Sequence, residues 1–343
     1  MQPKTLIPEW ELPKSIGLVW AEDLQDIPTQ ALVNFFYVDL IKLLIRILPQ
    51  SVSLTIIHRS DEKQRLINYF GADRINLIAD DNLQDIWIRD FAPFWVQTGN
   101  KNIAVKTRYY PLYGGKVYLK YAEHDDRIGT KLGGKSIQHI LSRKNRIVLD
   151  GGNITHNGKG TGICTNRLIS DNEHLFKDKV IEAVKEYLGF KELIIVPCDY
   201  GDDTGHIDGM VRFISEDSVL VSDYPYEWIK KKKHIKKSEY LFEREQLNEI
   251  AEYLNSIGMI VFRMPNGIPL NTKFESAVGN YTNFLRVGEK FFLPKYNKLD
   301  QDWNAFKALQ KAGIKKNNII QELDCNDLAE LGGVLNCITT HIY

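Results

Sequence analysis

A cysteine, a histidine and two aspartates stand at polar breaks in otherwise apolar segments: Cys337, His206, Asp208 and Asp90. The segment Trp87-Ile88-Arg89-Asp90 puts two charges inside a stretch, 85–97, that reads as a buried strand. Charges there are costly unless paired or used, so an internal Arg89–Asp90 salt bridge and a functional site are both compatible with it. Gly205-His206-Ile207-Asp208-Gly209 closes the acidic run 199–203. Residues two apart on an extended chain face one side, so His206 and Asp208 can orient each other, exchange protons or ligate a metal; a histidine simply packed at a strand end is the plainer reading. No other histidine stands at a ligand spacing, and neither metal nor cofactor is expected. Asp150-Gly151-Gly152-Asn153 is first a tight turn, and second a place where a ligand could approach bare backbone. Gly332-Gly333-Val334-Leu335-Asn336-Cys337-Ile338-Thr339 leads two glycines into a short apolar strand broken by Asn336 and Cys337. Cys164, Cys198 and Cys325 read as inert thiols in apolar surroundings, whereas Cys337 lies beside a polar residue after flexible glycines.

Together these residues make the smallest set able to attack a guanidinium. The cation is planar and delocalised, so it wants carboxylates in fork geometry, here Asp90 and Asp208. Its carbon is a poor electrophile, so a thiolate from Cys337 must add, and a nearby cation eases that ionisation. His206 then protonates departing ammonia and later deprotonates water. Imidazolium with thiolate, and neutral imidazole with neutral thiol, are both open as the active state.

Residues so far apart along the chain need a scaffold that brings loops together. The segment 85–97, a turn at Thr98-Gly99-Asn100 and the segment 102–110 read as a strand pair, followed by a helix-period stretch from Asp125 to Ser142 and a short strand at 146–150. The same order recurs. A hairpin turning at Asn157-Gly158 precedes a helical stripe (Leu175, Val180, Val184, Tyr187, Leu188) ended by Gly189, and then the strand 193–197. Third and fourth copies run 209–265 and 281–324, and the opening, 17–57 with a helix at Ala31–Leu48, is a shorter version. Five units of roughly 50 to 65 residues are in the repeat range. A closed ring of five would bury every sheet face and gather the loops at one end of its axis. The expected fold is therefore an α/β five-bladed propeller forming one domain over residues 1–343.

The composition agrees. Lys+Arg and Asp+Glu number 44 each, for a net charge of zero, which argues against nucleic-acid binding. The basic run Lys230–Lys237 is followed by acidic residues and reads as a solvated segment. Hydrophobic residues at 43% supply a real core. No apolar run is long enough for a membrane span, and the charged, proline-containing opening argues against export. Four dispersed cysteines without a CxxC pair read as reduced thiols, so a cytoplasmic location is expected.

The same residues resemble the agmatine deiminase and bacterial-type peptidylarginine deiminase family, within the wider guanidine-modifying (pentein) group. The matching pieces are DIWIRDFAPFW (85–95), DGGNI (150–154), GHIDGMVRF (205–213), NYTNFLRVGEKFFLP (280–294) and GGVLNCIT (332–339), with IPEWE and VWAE near the start. The resemblance implies a five-bladed α/β propeller, with Cys337 as nucleophile, His206 as general acid/base and Asp90 and Asp208 as guanidinium-binding carboxylates. It implies a covalent amidino-cysteine intermediate and no cofactor. Asn283 would lie near the active site. Trp87, Arg89, Asp150, Gly152, Asn153 and Asp203 complete the expected substrate-binding set. The expected substrate is a small guanidino cation, agmatine first, converted to N-carbamoylputrescine and ammonia as in polyamine biosynthesis. Free or peptidyl arginine, or amidino transfer to an amine, are the alternatives, and a non-catalytic guanidine-binding module is the remote one. A homo-oligomer is compatible with all of these. Three departures bear on the far end of the substrate: Ala92 where the family usually has glycine, Asn336 where many agmatine deiminases have histidine, and a slightly short acidic loop before His206.

Overall fold

The computed structural model describes residues 4–20, 30–134, 137–140, 146–199, 201–232, 236–268 and 276–343. Residues 21–22 of the opening motif, 141–142 of the expected helix and 233–235 of the basic run lie outside the described residues.

The described residues fold into five small sheets with helices between their strands. Three sheets share one pattern, an antiparallel pair followed by a helix and a third strand that returns parallel to the second. Thr155–His156 pairs with Thr161–Thr165, and Glu192–Val196 returns after the helix Lys177–Leu188. Val211–Phe213 pairs with Ser218–Asp223, and Ile260–Pro265 returns after Lys237–Ser256. Leu285–Val287 pairs with Lys290–Phe292, and Ile319–Ile320 returns after Leu299–Lys311. The fourth sheet runs Lys4–Leu6, Phe94–Thr98, Lys101–Lys106, Ile137–His139, with the helix Gly115–Gly133 before its last strand. In the fifth, Thr340–Ile342 lies antiparallel to Ser15–Val19, which is followed by the helix Gln30–Ile47 and the parallel strands Ser53–His58 and Ile75–Ala79. The last strand thus completes the sheet begun by the opening unit, Ser15–Val19.

Local chemistry explains why the repeats were readable. At the 157–160 turn, Asn157 Oδ1 accepts the backbone N–H groups of Lys159 and Thr161, both at 2.9 Å, and Gly158 supplies the positive φ of 64°. The helix Lys177–Leu188 buries Val180, Ala183, Val184 and Leu188 on one face and stops at Gly189, whose φ is 76°.

Five expectations need correction. The segment around Arg89 and Asp90 is a helical turn, Ile88–Phe91, not a strand; the strand begins at Phe94. The first repeat's helix is Gly115–Gly133, about ten residues earlier than its polar pattern indicates. Residues 146–150 form one isolated bridge, Arg108 to Val148, and Ile137–His139 takes the strand position instead. Residues 332–339 form turns before the strand Thr340–Ile342, and Ile207–Gly209 is a 3-10 turn, so His206 and Asp208 do not alternate along extended chain. The segments around residues 88–91, 207–209 and 334–338 contain buried apolar residues, and burial alone does not distinguish a strand from a tight turn.

The first repeat is pinned by a buried ion pair. Lys106 Nζ, fully covered, lies 2.7 Å from Asp126 Oδ1 and 2.6 Å from the Thr107 carbonyl. Asp126 also receives Tyr109 N and Arg146 Nη2. Lys106→Ala leaves the buried Asp126 carboxylate with Arg146 as its remaining cation, and is expected to lower the unfolding free energy by about 3 kcal/mol in urea titration. A loss under about 1 kcal/mol would show that the pair does not hold this helix to its sheet.

Candidate active site

The four catalytic candidates come from three separate turns. Asp90 ends the helical turn Ile88–Phe91, His206 and Asp208 bracket the entry to the 3-10 turn Ile207–Gly209, and Cys337 lies in the turns before the last strand. A fourth turn, Gly151–Asn153, lies between them. Gly152 N donates to Asp90 Oδ1 at 3.0 Å. A β-carbon on Gly152 would stand 2.8 Å from Asp90 Oδ1, 2.8 Å from His206 Nδ1 and 3.3 Å from Asp208 Oδ2. Three side chains therefore surround one bare α-carbon.

His206 is held at both ring nitrogens. Nε2 lies 3.2 Å from Asp150 Oδ2 and Nδ1 lies 3.6 Å from Asp90 Oδ1. Tyr113 donates its hydroxyl to the same Asp150 oxygen at 3.1 Å and meets the imidazole edge to face at 5.8 Å. Burial disfavours the charged ring, but Asp90, Asp150 and Asp208 outweigh it and raise His206 to about 10. Burial also holds the Asp90 carboxyl well above its ordinary range; the His206 charge opposes this, and Asp150 and Asp208 add to it.

Asp208 connects this cluster to the thiol. Its Oδ2 accepts Asn336 Nδ2 at 2.6 Å and lies 3.9 Å from Cys337 Sγ. The thiol also reaches Asn283 Oδ1 at 3.4 Å, and Asn283 receives Asn336 N at 3.1 Å. Cys337 keeps some exposure, yet burial and the charges of Asp208 and Asp90 push its thiol well up. Without a cation beside it, this sulfur is protonated. Cys164 and Cys325 are buried thiols, and burial raises Cys164 to about 12, as inert cysteines require.

The structure assembles Asp90, Asp150, Gly152, His206, Asp208, Asn283 and Cys337 within one set of contacts. The other expected residues make different contacts. Arg89 makes no pair with Asp90 and does not enter the cluster: its Nε donates to the Asn336 carbonyl at 3.2 Å and its backbone N–H to the Cys337 carbonyl at 3.1 Å, so it braces the thiol-bearing turn from behind. Asn153 spends its side-chain oxygen on Thr165 N and Oγ1, both at 3.0 Å. Trp87 packs its ring against Gly333. Asp203 is exposed on the loop before His206. Tyr113 escaped the sequence reading because one tyrosine in the run 109–113 carries no local sign of its partner, Asp150.

Two buried oxygens in this cluster, Asp150 Oδ1 and Asn336 Oδ1, have no hydrogen-bond donor among the described residues. Acceptors left this way are costly, and a ligand rich in N–H groups would satisfy them. Among the described residues no cluster of His, Cys, Asp and Glu is arranged to hold a metal ion, and no helix is long and apolar enough to cross a membrane.

Similarity to known proteins extends over nearly the whole chain. The chain is 23% identical over 364 residues to the agmatine deiminase of Pseudomonas aeruginosa, covering 96% of this chain and 93% of that protein. The fold superposes on C. jejuni agmatine deiminase with a TM-score of 0.78 at 21% identity, covering 99% of this chain and 96% of the other. A substrate-bound variant of that enzyme superposes with a TM-score of 0.79 at 21% identity, covering 98% and 96%. The family model for Porphyromonas-type peptidyl-arginine deiminase matches residues 5–342, and the chain belongs to that family.

Proposed function

We propose that this protein deiminates a small guanidino cation, with agmatine as substrate, through a covalent amidino-cysteine on Cys337. One observation carries the reading: three carboxyl groups (Asp90, Asp150, Asp208) and two unpaired buried oxygens surround one imidazole beside a thiol. Such a pocket lacks a cation with many N–H donors, which is what a guanidinium is.

Asp90 and Asp208 hold the guanidinium over Cys337. Its positive charge offsets the carboxylates that keep the thiol protonated, so binding favours loss of the thiol proton to solvent, a proton that sulfur regains from the tetrahedral hydroxyl when the C–S bond breaks. Sγ adds to the guanidino carbon. His206, as imidazolium, gives its Nδ1 proton to one nitrogen, and the C–N bond breaks to release ammonia. The neutral imidazole then takes a proton from water, the hydroxide adds to the amidino carbon, and the C–S bond breaks. The products are a ureido compound and a regenerated thiol. Asp150 and Tyr113 fix the imidazole for both transfers.

The five sheets form the blades of one propeller and one catalytic domain in this reading. Its support is the pairing of the last strand, Thr340–Ile342, with Ser15–Val19 of the opening unit. A cytoplasmic enzyme of polyamine formation, alone or as a homo-oligomer, belongs to the same reading.

The family description favours a second substrate, peptidyl arginine. Ammonia release measured with agmatine, free arginine and a blocked arginine peptide separates the two. Agmatine is expected to exceed both others in kcat/KM by about 10²-fold, the discrimination available when a charged end group lacks its partner. A peptide preference would move the assignment to the second substrate, and no turnover of any guanidine would end it.

A further inference from the structure

Behind the thiol-bearing turn, Arg89 borders a second pocket whose walls include Glu9, Trp95, His156, Arg212 and His341. It holds about 60 Å³, room for one small ion or a water or two. Two guanidiniums line it, and Glu9 is the one carboxylate among the described lining residues. Glu9 is already committed to Arg212 through Oε2, and it reaches Arg89 Nη2 only at 3.9 Å. Arg286, stacked 4.9 Å from the Trp10 ring of the same wall, sends its donors to the carbonyls of Gly288 and Ile214. His156 and His341 do not add charge, because burial, reinforced by Arg89 and Arg212 and opposed by Glu9, lowers each to about 4. The neighbourhood keeps a positive excess.

Two buried nitrogens in this lining that can only donate, Arg89 Nη2 and Trp95 Nε1, have no hydrogen-bond partner among the described residues, and neither does His156 Nδ1, which donates in one of the two neutral tautomers. A water offers two acceptor sites and must place its own hydrogens among donors, whereas a monovalent anion accepts from every side. Glu9 disfavours a dianion, and the space is sufficient for an anion of halide or nitrate size.

We propose that this pocket binds a small monovalent anion of halide or nitrate size, accepting from Arg89 Nη2, Trp95 Nε1 and His156 Nδ1. The anion neutralises the face of Arg89 that points away from Cys337. Binding is read without turnover, so this site and the proposed reaction stand or fall separately.

Bromide is the probe. Crystals grown in bromide should show an anomalous peak in this pocket. In solution, bromide should raise Tm saturably by about 2 °C over isethionate at equal ionic strength, because a ligand that binds only the folded state stabilises it. Trp95→Phe keeps the ring and removes one donor, and His156→Phe removes another and narrows the space; each should abolish the bromide-specific rise. If one variant fails to fold, the other serves. An empty or water-filled pocket, equal Tm in both salts, or a rise unchanged in the folded variants overturns the site.

Discussion

Cys337→Ser is expected to lose ammonia release by about 10⁴-fold or more, because an alcohol at that position has neither the acidity nor the polarisability to add to a guanidino carbon. The wild-type sulfur is itself held protonated by burial and by Asp208 and Asp90. A neutral alkylating agent should therefore react slowly at neutral pH. A cationic one of the same size should react about 10²-fold faster, because it supplies the charge that the carboxylates await. Comparing chloroacetamide with chloroacetamidine checks this, with the adduct located by mass spectrometry. Serine-variant turnover near the wild-type rate would remove Cys337 as nucleophile, and equal rates for the two reagents would remove the cation-assisted ionisation.

Gly152→Ala is expected to lower kcat/KM by about 10²–10³-fold while leaving Tm within a few degrees, since displacing reacting groups by about 1 Å is enough for such losses. Gly152 has no positive φ, so its backbone accepts alanine. What the methyl meets is the cluster itself, at 2.8 Å from both Asp90 Oδ1 and His206 Nδ1. The neighbouring glycine is the control. At Gly151 a β-carbon would stand 1.9 Å from the Arg89 carbonyl, a backbone atom that cannot yield cheaply, so Gly151→Ala should lower Tm as well as activity. If Gly152→Ala keeps full activity with an unchanged pH profile, Asp90, His206 and Asp208 do not act in concert around that point.

The repeats could be read because their signals are local. Asn157-Gly158 makes its own turn, Gly189 ends its own helix, and Val180, Val184 and Leu188 recur at helical spacing whatever surrounds them. The chemical types of Asp90, His206, Asp208 and Cys337 were equally visible, since each breaks an apolar pattern at a cost that use would explain. Three-dimensional packing decided the rest. The hydrogen bond of Tyr113 to Asp150, and that carboxylate's contact with His206, join residues 37 and 56 positions apart, which no local pattern records. Arg89 points toward Glu9 and the Cys337 backbone, away from its neighbour Asp90, because successive side chains on the short helix Ile88–Phe91 diverge by about 100°. A sequence specifies which side chains resist burial and where the chain must turn, because both follow from a residue and its near neighbours. Which buried charges meet depends on how separate turns pack, an energy shared across the whole fold.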